Sequence, residues 1–124
     1  MKFKHLGITI NNANEIADFY ENVFEMEKVR VFELNSNLCK KFFKIPQSVE
    51  IHLMKKDDVE IELFIRQELK QPSFEHFCLS FADRKKIVER AIENDYEVII
   101  EERKNFDIIF IKDHSGNIFE IKET

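Results

Sequence analysis

The sequence predicts an α+β fold made of two βαβββ modules. Three observations predict it. A strand–helix–strand–strand–strand order occurs twice, at about residues 1–71 and 72–124. The strands that open and close each run carry aliphatic residues on one face only. Each helix follows a residue of capping type and shows a single apolar stripe.

The first strand is expected over Lys2 to Ile10, with Leu6, Ile8 and Ile10 on one face and His5, Gly7 and Thr9 on the other. Asn12 and Glu15 have the spacing of a capping box. Ile16, Phe19, Tyr20, Val23 and Phe24 then recur at helical spacing. Strands follow at Lys28–Leu34, Val49–Met54 and Val59–Arg66, with Asp57–Asp58 as the turn of a hairpin. Between them, Asn35–Ser48 is a longer connection that the second module lacks. Its Leu38, Phe42, Phe43 and Ile45 either cap an apolar pocket or bury themselves against the sheet or a partner subunit.

Gln71–Pro72–Ser73 is the expected joint. Phe74–Phe81 restarts the pattern, with His76, Cys78 and Ser80 opposite Phe77, Leu79 and Phe81. Asp83 caps a helix whose Ile87, Val88, Ala91 and Ile92 form one face. Tyr96–Ile100, Asp107–Ile111 and Ile118–Lys122 complete the module, with His114–Asn117 as the last turn.

Composition removes several classes of function. The chain is 124 residues long, one domain by length, and its 44% hydrophobic content can fill a core. With 19 basic against 24 acidic residues the formal charge is −5 and there is no basic cluster, so no nucleic-acid partner is expected. Arg84, Lys85 and Lys86 are consecutive helix positions that point apart. No apolar run reaches the ~20 residues that span a membrane, and Met1–Ile10 has no secretory pattern. Cys39 and Cys78 are therefore expected as reduced thiols in a cytoplasmic protein.

Strand phase also points to chemistry. Each module places one histidine on its first strand and one glutamate on its last, both away from the aliphatic face: His5 with Glu62, and His76 with Glu120. For any one of these, the solvated face of a sheet is a sufficient account. Their occurrence at equivalent places in both modules favours a site. Two imidazoles and two carboxylates suit Zn, Ni, Co, Mn or Fe as the divalent ion. Glu60 shares the face of Glu62 and is an alternative ligand. His52, with Glu50 and Met54, reads as an ordinary sheet histidine, Cys78 as a small buried hydrophobe and His114 as a surface turn residue.

His5–Ile8, Asp18–Tyr20, Ile61–Leu63, Glu75–Phe77 and Asp113–Ile121 together resemble the vicinal oxygen chelate superfamily. This superfamily includes glyoxalase I, fosfomycin-resistance enzymes, extradiol dioxygenases and bleomycin-resistance proteins. The resemblance implies paired βαβββ modules cupping a mixed sheet around a divalent metal held by His5, Glu62, His76 and Glu120. It implies a homodimer, with the cup inside one chain or across the interface. It also implies a lyase or isomerase of glyoxalase I type acting on a small vicinal-oxygen substrate through a metal-stabilised enediolate, with Glu120, and after it Glu62, as the catalytic base. The alternatives are a fosfomycin-type thiol transferase using His5, His76 and Glu120, and a bleomycin-type binding protein without chemistry. Glutathione-using relatives carry Arg and Asn where Thr9 and Arg66 stand, which weighs against glutathione as co-substrate.

Overall fold

The computed structural model describes all of residues 1–124. Strands β1 (Leu6–Ile10), β2 (Glu27–Leu34), β3 (Val49–Lys56) and β4 (Val59–Ile65) form one four-stranded sheet in the order β1-β4-β3-β2. Strands β5 (Phe77–Phe81), β6 (Glu97–Glu101), β7 (Ile108–Lys112) and β8 (Ile118–Glu123) form a second, ordered β5-β8-β7-β6. In each sheet the first strand runs parallel to the last and the other neighbours are antiparallel. This is the α+β fold of two mixed sheets that the alternating pattern predicts.

The period-2 reading of the strands holds. Ile8, Ile10, Ile61, Leu63, Phe119 and Ile121 are buried. The opposite residues of these strands face outward.

Helices depart further from expectation. Ile16–Glu21 is a π-helix: the Asn22 N–H donates to the Ala17 carbonyl and the Phe24 N–H to the Phe19 carbonyl. The wider turn keeps Ile16, Phe19, Tyr20, Val23 and Phe24 all buried. It ends where Glu25 takes a left-handed φ of 58°. Helix α1 (Ser36–Phe43) lies in what the sequence reading left as a connection. It is capped by Asn35, whose side chain accepts from the Leu38 N–H at 3.0 Å. Helix α2 (Arg84–Glu93) starts as predicted, with Asp83 accepting from the Lys86 N–H at 3.1 Å. Its Ile92 is exposed rather than part of the buried face. Strands β1 and β5 begin later than predicted, leaving Phe3 and Phe74 exposed. No helix is long and apolar enough to cross a membrane.

One aromatic cluster joins the two sheets. Phe19 lies 4.7 Å from Tyr96 and 5.8 Å from Phe119, and Phe24 lies 5.0 Å from Phe119 and 5.5 Å from Phe81, ring centre to ring centre. Phe19 and Phe24 come from the π-helix and its end, the others from the second half of the chain. Edge-to-face pairs of this kind add to the burial they share.

A polar clasp sits beside this cluster. Glu15 does not close a capping box with Asn12. It is buried, and its carboxylate accepts from the Ser115 N–H at 3.1 Å and the Ser115 hydroxyl at 3.0 Å. Asp113 accepts from the Tyr20 hydroxyl, the Asn117 N–H and the Asn117 amide, each at 2.7 Å, and from the Ser115 N–H at 3.0 Å. Asn117 in turn donates to the Thr9 carbonyl on β1 at 2.9 Å, and Lys70 donates to its side-chain oxygen.

Burial, and then the Asp113 charge, raises the Glu15 pKa above its ordinary value of 4.5. A raised folded-state pKa means the folded chain holds the proton more tightly than the unfolded chain. Stability from this group is complete below about pH 4.5 and falls as pH rises through the raised value. Glu15→Gln is therefore expected to gain on the wild type in melting temperature as pH increases from 4.5 to 8. A difference that stays constant across that range would show that Glu15 titrates normally.

Candidate functional site

Register places the two histidine–glutamate pairs equivalently. In the first sheet Gly7 on β1 stands opposite Glu62 on β4, and His5 is two residues before Gly7. In the second, Cys78 on β5 stands opposite Glu120 on β8, and His76 is two residues before Cys78. His5 and His76 each stand one residue before their strand, not on it as the sequence predicts, because β1 and β5 begin late, and from there each side chain reaches its glutamate on the outward face.

The pairs close in space. His5 Nε2 lies 2.9 Å from Glu62 Oε1 and His76 Nε2 lies 3.7 Å from Glu120 Oε2. Glu60, the alternative to Glu62, stands opposite Lys55 instead. The structure thus brings His5 to Glu62 and His76 to Glu120, but it does not bring the two pairs together. No three His, Cys, Asp or Glu side chains of the single chain gather where they could hold a metal ion.

Each pair offers one imidazole and one carboxylate. His76 Nδ1 lies 2.9 Å from the Phe74 carbonyl, which can only accept, so Nδ1 carries the proton in this bond. The lone pair is left on Nε2, on the Glu120 side. A ligating histidine is oriented by a second-nitrogen contact of this type. Its ring also lies 5.5 Å from that of Phe110, which limits its rotation. All four side chains are partly open to solvent and can exchange water for an ion.

The first pair opens into a cavity of about 880 Å³. Its walls include Gly7, Thr9, Phe43, Ile45, Phe64 and Arg66. Gly7 is required by close approach: a Cβ there would lie 3.1 Å from the Phe64 ring. The ring therefore leans over β1 beside Glu62.

Other residues singled out by the sequence find different roles. His52 stands opposite Leu63, so it belongs to the aliphatic side of the sheet, away from Glu62, and it pairs with Glu50 at 2.5 Å. Cys78 is exposed, not buried, because β5 is an edge strand and its outward face is uncovered. Desolvation, and then the Glu120 carboxylate, push its thiol pKa up, which keeps it protonated at neutral pH. His114 is exposed but not idle: it stacks on Tyr96 at 4.2 Å and donates from Nε2 to the Asp95 carbonyl at 3.0 Å. Of the four residues the sequence offers as a pocket cap, Phe43 and Ile45 line the cavity and Leu38 and Phe42 do not; sequence reasoning missed Gln47, because α1 was not recognised. Asn35 as a cap, followed by Leu38, Cys39, Phe42 and Phe43 on one stripe, was the available signal.

Known proteins share this fold. FosX, the fosfomycin resistance protein of Listeria monocytogenes, superposes over 100% of this chain and 93% of its own, with a TM-score of 0.76 at 14% sequence identity. A mutant of that protein, crystallised with Mn(II) and 1S,2S-dihydroxypropylphosphonic acid, matches over 98% of this chain and 90% of its own, with a TM-score of 0.74 at 15% identity. A protein from Bacillus anthracis assigned to the glyoxalase family matches over 100% and 95%, with a TM-score of 0.68 at 18% identity. At these identities the likeness establishes the fold. No curated protein matches the chain in sequence. Residues 2–121, however, match the Glyoxalase/Bleomycin resistance protein/Dioxygenase superfamily. A match over nearly the whole length, on a chain whose two sheets repeat one topology, has one reading: the chain belongs to that superfamily.

Proposed function

We propose that the protein is a metal-dependent cytoplasmic enzyme that works as a homodimer. Each site would join the His5–Glu62 pair of one copy to the His76–Glu120 pair of the other. The observation that carries this reading is that two half-centres of equivalent register lie in one chain without meeting. Support comes from the sheet edges. Strands β1 and β5 are both edge strands, each has a histidine just before it, and neither has a strand on its outer side. An open edge of this kind is a ready place for a second copy to pair.

A divalent ion (Zn, Ni, Co, Mn or Fe) held by these two imidazoles and two carboxylates would supply Lewis-acid polarisation of two adjacent substrate oxygens. Glu120 takes the carbon proton that this polarisation makes acidic and returns it to the neighbouring carbon. Glu62 stands ready for the same duty on the opposite side. His76, held by the Phe74 carbonyl, keeps its Nε2 on the Glu120 side throughout. This is isomerisation of glyoxalase I type on a small vicinal-oxygen substrate.

A second reading is transfer of a thiol or other nucleophile to a substrate of the fosfomycin kind, with His5, His76 and Glu120 alone as ligands. The relative crystallised with Mn(II) and a dihydroxypropylphosphonic acid favours it. The two separate at Glu62. A Glu62→Gln variant that keeps its metal and turns over fosfomycin supports the second, and loss of metal supports the first.

Elemental analysis of untagged protein tests the common ground. Near-stoichiometric metal is expected in the wild type and none in His5→Ala or His76→Ala. Refolding the two variants together forms mixed dimers with one intact site, restoring about a quarter of the wild-type metal. A mixture that stays empty beside a loaded wild type would place all four ligands in one chain. An empty wild type, after reconstitution with each ion, would leave a non-catalytic binding protein.

A further inference from the structure

We infer that this site takes vicinal-oxygen compounds bearing an uncharged aryl or branched apolar substituent, which lies against the Phe43–Phe64 pair. The inference rests on the proposed metal site and adds its substrate class.

The cavity beside His5 and Glu62 has a mixed lining. Its lining includes both candidate ligands together with the apolar Phe43, Ile45, Val49 and Phe64, and polar residues such as Asn11 and Gln47 complete it. The Phe64 ring is seated by the missing Cβ of Gly7, whose register partner is Glu62. It is therefore next to any group attached to a chelated pair of oxygens. Phe43 meets it edge-on, with ring centres 5.8 Å apart. Even so, Phe43 is 52% exposed, so about half of an aromatic side chain is held open at the site.

The holder is firm. Cys39, buried in α1, donates its thiol to the Leu34 carbonyl at 3.4 Å, and Asn35 caps the same helix. The two rings, in edge-to-face contact and held by an anchored helix, form one pre-organised apolar surface against which a flat apolar group can lie.

Charge argues in the same direction. Apart from His5, Arg66 is the only basic residue lining the cavity, and it lies 3.8 Å from Glu68, which lines it too. Glu62 adds a second carboxylate. At this end of the site no cation is left over for a doubly charged phosphonate or phosphate, Lys122 standing beside Glu120 in the other half, so an uncharged substituent is preferred here.

Two hydroxamates isolate the substituent. Benzohydroxamate and acetohydroxamate both present two adjacent oxygens to a metal and differ only in phenyl against methyl. Titrated by calorimetry into the Mn(II)-loaded dimer, benzohydroxamate is expected to bind about tenfold more tightly, the scale for burying one ring against apolar walls. In Phe43→Ala the ratio should fall to near one while acetohydroxamate binding is unchanged. Phe42→Ala serves as control, since Phe42 is on the same helix and exposed but outside the cavity. Equal affinities in the wild type, or a preference that survives Phe43→Ala, would overturn the inference and leave the metal reading intact. If the protein takes up no metal, the metal reading falls and this inference with it; if loaded protein binds neither hydroxamate, this inference falls alone.

Discussion

Asp113→Ala is expected to remove about 4 kcal/mol of folding stability, measured as a shift of the urea midpoint at unchanged slope. Four donors converge on this one buried carboxylate: the Tyr20 hydroxyl, the Ser115 and Asn117 N–H groups and the Asn117 amide. The Ser115 N–H keeps Glu15 and the Asn117 amide keeps the Thr9 carbonyl, but alanine leaves the Tyr20 hydroxyl and the Asn117 N–H without a partner, and each buried donor left unpaired costs about 1–3 kcal/mol. Tyr20 is fully buried, so its hydroxyl has no route to water. Burial and the Asp113 charge raise its pKa well above the ordinary value, so the phenol remains a proton donor at all physiological pH. Asp113→Asn keeps the shape and loses only some of the acceptors, so it should fall between wild type and Asp113→Ala. A loss below about 1 kcal/mol for the alanine variant would mean that water or rearranged side chains replace the carboxylate.

Glu120→Gln is expected to lower turnover by about a thousandfold while the dimer keeps most of its metal. The amide oxygen can still act as a neutral ligand, but it cannot accept a carbon proton at neutral pH. Glu120 has the geometry for the task. It is on β8 opposite both Cys78 and Phe110, with its carboxylate beside His76 and 3.8 Å from Lys122. The measurement pairs turnover with metal content on the same sample. A loss of turnover matched by a loss of metal would reduce Glu120 to a ligand. Unchanged turnover would pass the proton step to Glu62, and the same substitution there should then be the damaging one.

What could be read from the sequence was whatever depends on local period. Ile8, Ile10, Ile61 and Leu63 alternate with outward residues, and the strand faces followed directly. The same alternation put His5 on the face of Glu62 and His76 on that of Glu120. Glu15 was misread because its spacing from Asn12 is local whereas its actual partner, Ser115, is 100 residues away. The π-helix was equally out of reach. The stripe from Ile16 to Phe24 fits an α-helix, and it is the demand to bury five large side chains together that widens the turn. Helix α1 has only 8 residues, too short for periodicity to separate it from a loop without attention to its cap. That the two half-centres do not meet could not be seen either, since it depends on how one sheet sits against the other.

The aromatic cluster has a consequence for how the molecule comes apart. Phe19 and Phe24 make some of their closest ring contacts with Tyr96, Phe81 and Phe119, across the boundary between the halves. Neither half can therefore keep its interior dry without the other, and the strands of both share one opening event. The chain repeats in its topology but not in its thermodynamics: two copies of a pattern, one cooperative unit.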